Sequence, residues 1–112
     1  MSTIETLDRY QVEALRTVGS SDLPILALGI AGESGEVADL AKKELGHGHP
    51  RDAEKMAKEL GDVLWYVAAL ADEYGYSLST IATLNIEKLK ARYPQGFSVE
   101  RSINREEGLP HG

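Results

Sequence analysis

The segment AEKMAKELGDVLWYVAALADEYG, residues 53–75, places apolar side chains at Met56, Leu60, Val63, Leu64, Val67 and Leu70. Steps of three and four gather such residues on one face of an α-helix but scatter them over both faces of a strand, so this stretch is constrained to be helical. Three more segments carry the same period. The first spans about residues 3–18, with Ile4, Leu7, Gln11, Ala14, Leu15 and Val18 on one side, and is broken by Ser20, Ser21, Asp22 and Pro24. The second runs from about residue 25 to 45, with its end expected at a left-handed Gly46. The turn HGHPRD follows, where Asp52 is placed to cap the third helix. Gly75 ends that helix, Ser77 can cap a fourth, and the fourth runs to Arg92 before Pro94 stops it. No stretch alternates as a strand does, and no repeat occurs at solenoid periods. The pattern predicts an all-α chain: an antiparallel four-helix bundle over residues 1–98, then a polar, extended tail over 99–112.

Composition narrows the function. A chain of 112 residues with 42% apolar content is one domain with a modest core. It has no cysteine, which excludes disulfides and thiolate metal sites and fits a reducing compartment, hence a cytoplasmic expectation. The start, MSTIETLDRY, is acidic and lacks an apolar core, unlike a secretory signal, and no run is long enough to span a membrane. A formal charge of −6 is the wrong sign for gripping DNA or RNA. It leaves room for a small phosphate ligand, because a divalent cation can bridge acidic protein to anionic substrate.

Carboxylates stand where such a cation could use them. Glu33 falls inside the apolar arc of Leu26, Ile30, Val37 and Leu40, with Glu36 at its edge. Gly29, one turn earlier, is expected to leave open space there. On the third helix Glu59 and Asp62 repeat the three-residue spacing, in line with Lys55 and Tyr66. A single Glu-x-x-Glu is usually a solvated helix flank. A pair on each of two successive helices, one acid within the apolar arc, is harder to explain so. Four acids at one seam would repel each other and lose hydration, and Mg²⁺ or Mn²⁺ removes both objections. Ile81, Asn85, Lys88 and Arg92 form a stripe on the fourth helix. It is either a phosphate-binding row or bases suited to the macrodipole of a helix C-terminus. His47 and His49, with His111 as a third candidate ligand, read as a glycine-rich turn rather than a metal site. Gly29, Gly32 and Gly35 match no phosphate loop and serve either helix packing or a ligand cavity.

Taken in order, GIAGESGEVADLAKK, KELGDVLWYVAAL and NIEKLKARYPQGF resemble the MazG family of nucleotide pyrophosphohydrolases, over roughly residues 8–100. The family signature Glu-x-x-Glu, spacer, Glu-x-x-Asp is met by Glu33, Glu36, Glu59 and Asp62, and its Asn-x-x-Lys with a following Arg by Asn85, Lys88 and Arg92. Lys55 and Tyr66 fall where members carry phosphate- or sugar-contacting residues. One departure is Gly32, where many relatives have a further Glu; it bears on the number of metal ions. The resemblance implies hydrolysis of a nucleoside triphosphate to monophosphate and pyrophosphate with Mg²⁺ or Mn²⁺. The four acids would hold metal, Glu33 and Glu36 would be catalytic, and Lys55, Tyr66, Asn85, Lys88 and Arg92 would bind substrate. It also implies a homodimer or a dimer of dimers. The residues point the same way: Trp65, Ala68 and Ala69 lie opposite the arc of their own helix, as a partner surface would. Two other readings stay open, phosphoribosyl-ATP pyrophosphohydrolase and a non-catalytic helical dimerisation module.

Overall fold

Each of the four helical periods becomes a helix, the first shorter than expected, over Leu7–Leu15 and not 3–18, so that Ile4 and Val18 lie outside it. A computed structural model describes residues 3–19 and 23–104, and among these the chain is all-α. Its helices are α1 (Leu7–Leu15), α2 (Leu23–Gly46), α3 (Ala53–Glu73), α4 (Leu78–Arg92) and the short α5 (Val99–Asn104). Two compact units divide the chain, one through Ser77 and one from Leu78 onward. The first holds α1, α2 and α3; the second holds α4 and α5.

Local chemistry sets the ends. Thr6, in extended conformation, accepts the Arg9 amide through its hydroxyl at 3.0 Å and opens α1. Asp52 does the same for α3, accepting from the Lys55 amide at 3.0 Å, as its position in the turn predicted. Pro24 sits in the first turn of α2, where a missing N–H costs nothing. The breakers Ser20, Ser21 and Asp22 lie outside the described residues. Gly75, at φ +80°, closes α3: the Tyr76 amide reaches the Ala71 carbonyl at 2.9 Å and the Gly75 amide reaches Asp72 at 2.9 Å. At the end of α2 the expectation needs correcting. Gly46 stays helical and Gly48 takes the left-handed conformation, φ +72°, while the amides of His47 and His49 both donate to the Lys43 carbonyl.

In the first unit α3 packs against both α2 and α1. Leu26 and Leu40 of α2, Ala14 of α1, and Ala68, Ala69 and Ala71 of α3 are buried. Small residues at the α1 contact let the two backbones approach. Gln11 crosses that contact, donating its side-chain amide to the carbonyls of Ala68 and Tyr76, both at 3.1 Å. The arrangement reverses part of the expected burial. The alanines opposite the apolar arc of α3 are fully enclosed, whereas Leu60 within the arc is 52% exposed. Trp65, expected on a partner surface, is half-buried and donates its indole N–H to Thr17 Oγ1 at 2.7 Å; Thr17 in turn donates to the Ala14 carbonyl.

In the second unit, α4 ends at Arg92, as Pro94 requires. Residues 93–98 turn sharply, with Gly96 at φ +91° and the rings of Tyr93 and Phe97 5.2 Å apart. The tail is not extended up to residue 104, because Val99–Asn104 forms a turn and a half of helix. Its remaining residues, His111 included, lie outside the described residues.

Candidate metal centre

Both halves of the acidic motif sit on neighbouring helices of one unit, and their packing decides which acids meet. Glu33 follows Ile30 on the inner side of α2; Glu59 and Asp62 lie one turn apart on α3. One carboxylate oxygen from each of these three lies within 4.8 Å of the other two. Glu33 and Glu59 are half-buried and Asp62 is exposed. Among the described residues no cation pairs with any of them. Three negative charges so close, with water partly removed from two, are mutually destabilising. The strain registers on Glu33: burial first, then Asp62, Glu59 and Glu36, push its carboxyl above the ordinary 4.5.

The donor set fits one divalent ion. Mg²⁺ is held by oxygens at about 2.1 Å, so its ligands lie roughly 3–4 Å from one another, and Ca²⁺ permits wider spacing. Rotation of the carboxylates would have to close the remaining gap for Mg²⁺. Three carboxylates also leave coordination positions for water and phosphate oxygens, as Mg²⁺ prefers. Among the described residues the one group of three metal-capable side chains this close is this trio, and it includes neither His47 nor His49.

The other expected residues divide. Glu36 is exposed and outside the close trio, near enough to act on Glu33 and on Lys43 by its charge. Lys55 is exposed one turn before Glu59. Tyr66 is half-buried, its ring edge-on to Trp65 with centroids 4.9 Å apart. That ring also corrects the expectation about Gly29. The space beside Gly29 is not open: a Cβ built there would overlap the Tyr66 ring carbons. Gly32, next to Glu33, does have free space. Asn85, Lys88 and Arg92 share a stripe of α4 in the second unit. The Arg92 Nε is buried with no hydrogen-bond partner among the described residues.

Tyr10 was not expected at the site. It lies on α1, half-buried, and burial followed by the charge of Asp62 raises its hydroxyl above the usual 10.0. A sequence signal existed only in retrospect: Tyr10 precedes Gln11, whose hydrogen bonds lock α1 to α3.

Residues 23–97 match the MazG nucleotide pyrophosphohydrolase domain. The chain belongs to that family. The MazG match holds both carboxylate pairs and the α4 stripe, and leaves α1 outside it. Two curated proteins are similar over much of their length. The Gene 37 protein of Mycobacterium phage L5 is 36% identical over 88% of this chain and 98% of its own. The uncharacterized protein YvdC of Bacillus subtilis (strain 168) is 32% identical over 62% of this chain and 76% of its own. No solved structure matches the chain. Within this MazG domain no helix among the described residues is long and apolar enough to cross a membrane.

Proposed function

We propose that the protein is a metal-dependent nucleoside triphosphate pyrophosphohydrolase, releasing a nucleoside monophosphate and pyrophosphate from a ribo- or deoxyribonucleotide. The observation that carries this reading is the convergence of Glu33, Glu59 and Asp62 within 4.8 Å, on two helices of a MazG domain, without a protein cation among the described residues to balance them. Glu33, Glu36, Glu59 and Asp62 are the ligands in this proposal. A bound Mg²⁺ or Mn²⁺ would neutralise charge on phosphate oxygens and acidify the attacking water. Glu33, the acid set within the apolar arc of α2, orients that water and takes its proton as the water oxygen attacks a phosphorus at the α–β bridge. The bond from that phosphorus to the α–β bridging oxygen breaks, and monophosphate and pyrophosphate separate. In this proposal Lys55 of the first unit contacts phosphate and Tyr66 shapes the sugar side; by the family pattern Lys88 and Arg92 of the second unit would also bind phosphate, and Asn85 the sugar or a phosphate. Lack of cysteine supports work in the reducing cytoplasm, in control or sanitation of the nucleotide pool.

A homodimer or dimer of dimers accompanies this reading. Its support is the apolar surface a single chain leaves uncovered, with Leu28 72% and Leu45 84% exposed. The deciding experiment is a pyrophosphate-release screen over NTPs, dNTPs, damaged nucleotides and phosphoribosyl-ATP with Mg²⁺ and Mn²⁺. Release from at least one, abolished by EDTA, is the expected result; silence across the panel would end the proposal.

A further inference from the structure

The turn between α2 and α3 borders an open pocket of about 420 Å³ in the first unit. Leu40 lies at its base; Lys43, His49, Arg51, Asp52 and Lys55 supply its polar lining. Its charge is unusual for a chain of net −6. Most described cations of this unit are already paired: Arg9 and Arg16 with Glu13, Lys43 with Asp39, Lys58 with Glu54. Lys42, Arg51 and Lys55 are in no ion pair among the described residues, and two of these three line the pocket. The acid in the wall, Asp52, is engaged at the helix end: Oδ1 accepts the Lys55 amide, and its own amide donates to Glu44 at 2.8 Å. What remains is a concave surface with a free guanidinium, a free ammonium and an imidazole. Guanidinium forks and ammonium charges in a hollow recognise phosphate.

Position gives the pocket its ligand. Lys55 lies one helical turn, about 5.4 Å, from Glu59 toward the turn. The pocket therefore continues the α2–α3 seam from the three carboxylates. We infer that it is an anion subsite for the β- and γ-phosphates of the substrate, and for pyrophosphate after cleavage, with Arg51 as its principal contact. This rests on the proposed hydrolysis for its role in turnover, though not for its affinity for a diphosphate. Lys55 bridges subsite and metal centre, and His49 offers a further hydrogen bond. Polyphosphate direction follows: the leaving end of the substrate points to the α2–α3 turn and the nucleoside end toward Tyr66.

The test titrates the full-length protein with pyrophosphate by isothermal calorimetry in EDTA, where the bare carboxylates repel the ligand. Wild-type protein should bind, and Arg51→Ala should bind roughly tenfold more weakly, the loss of one charge-assisted contact. Arg51→Lys should recover part of the loss. Lys42→Ala, an unpaired cation outside the pocket lining, is the control. No binding by wild type, equal binding by Arg51→Ala, or an equal loss in Lys42→Ala would each overturn the subsite. Arg51 is exposed and outside every helix, so the variant keeps the fold, checked by circular dichroism. The two proposals fail separately. Pyrophosphate binding that depends on Arg51 supports the subsite even if no nucleotide is cleaved. Turnover whose KM and pyrophosphate inhibition are unchanged in Arg51→Ala removes it while leaving the hydrolase in place.

Discussion

Glu33 is held in a place that penalises its charge, and this makes two measurements informative. Its folded pKa is raised, so the fold favours the protonated form. Above that raised value the ionised group opposes folding, and stability is regained as pH falls through it toward the ordinary 4.5. Glu33→Gln should therefore raise the metal-free Tm at neutral pH, and the gain over wild type should vanish in acid as Glu33 itself protonates. The same variant should lower kcat by about 10²-fold or more with a smaller change in KM, as expected of a group acting on the attacking water. It should also lose most of the Mg²⁺-induced stabilisation, which in wild type reaches about 2.7 kcal/mol at a hundredfold excess over Kd. Near-normal kcat would remove Glu33 from its role. Gly29 invites a separate test. Gly29→Ala drives a methyl into the Tyr66 ring and should cost about 1–3 kcal/mol in urea unfolding. In a Tyr66→Ala background that cost should largely disappear; strictly additive effects would show that the two do not touch.

At the scale of the elements, one amide supplies two hydrogen bonds from α1 across its contact with α3. Gln11→Leu removes both hydrogen bonds to the Ala68 and Tyr76 carbonyls and should destabilise the protein by about 1–3 kcal/mol. Hydrogen exchange should locate the loss in α1 and the end of α3; a uniform or absent change would contradict that link. The elements themselves were legible because period and caps are local: Asp52, Gly75 and Pro94 each act within a few residues of themselves. What covers a face is not local. Trp65 and Ala68 looked like an outer surface because nothing in α3 reveals that α1 lies against it. Gly29 looked like free space because the ring that occupies it comes from residue 66. Gly46 and Gly48 both suit a left-handed position, and only the hydrogen bonds to Lys43 separate them. The carboxylate trio was readable for the opposite reason, since two three-residue spacings on adjacent helices leave few ways to arrange them. Tyr10 was hidden, being more than fifty residues from the Asp62 it faces.

For the whole molecule, the balance of apolar surface is the main constraint. Among the described residues the buried set is small and rich in alanine, while Leu28, Leu45, Leu60 and Phe97 are more than half exposed. A chain of 112 residues with so few large enclosed side chains among those described would gain stability if another copy covered the exposed ones, as the proposed dimer does. Sedimentation at micromolar concentration should show a dimer or tetramer, and Tm should rise with protein concentration; a monomer at all concentrations would exclude this.

The carboxylate trio has a kinetic side as well. Glu33 and Asp62 belong to successive helices joined by a short turn, so the loop that brings them together is small and its closure entropically cheap. An α2–α3 hairpin that pairs early in folding, a hypothesis for φ-value analysis, would bring these acids together as it forms. In that case the repulsion among the three acids would be met while the hairpin forms, before α1 has contributed its contacts. A divalent ion or a lower pH would relieve it at that step, making refolding rate, and not stability alone, a reporter of the metal centre.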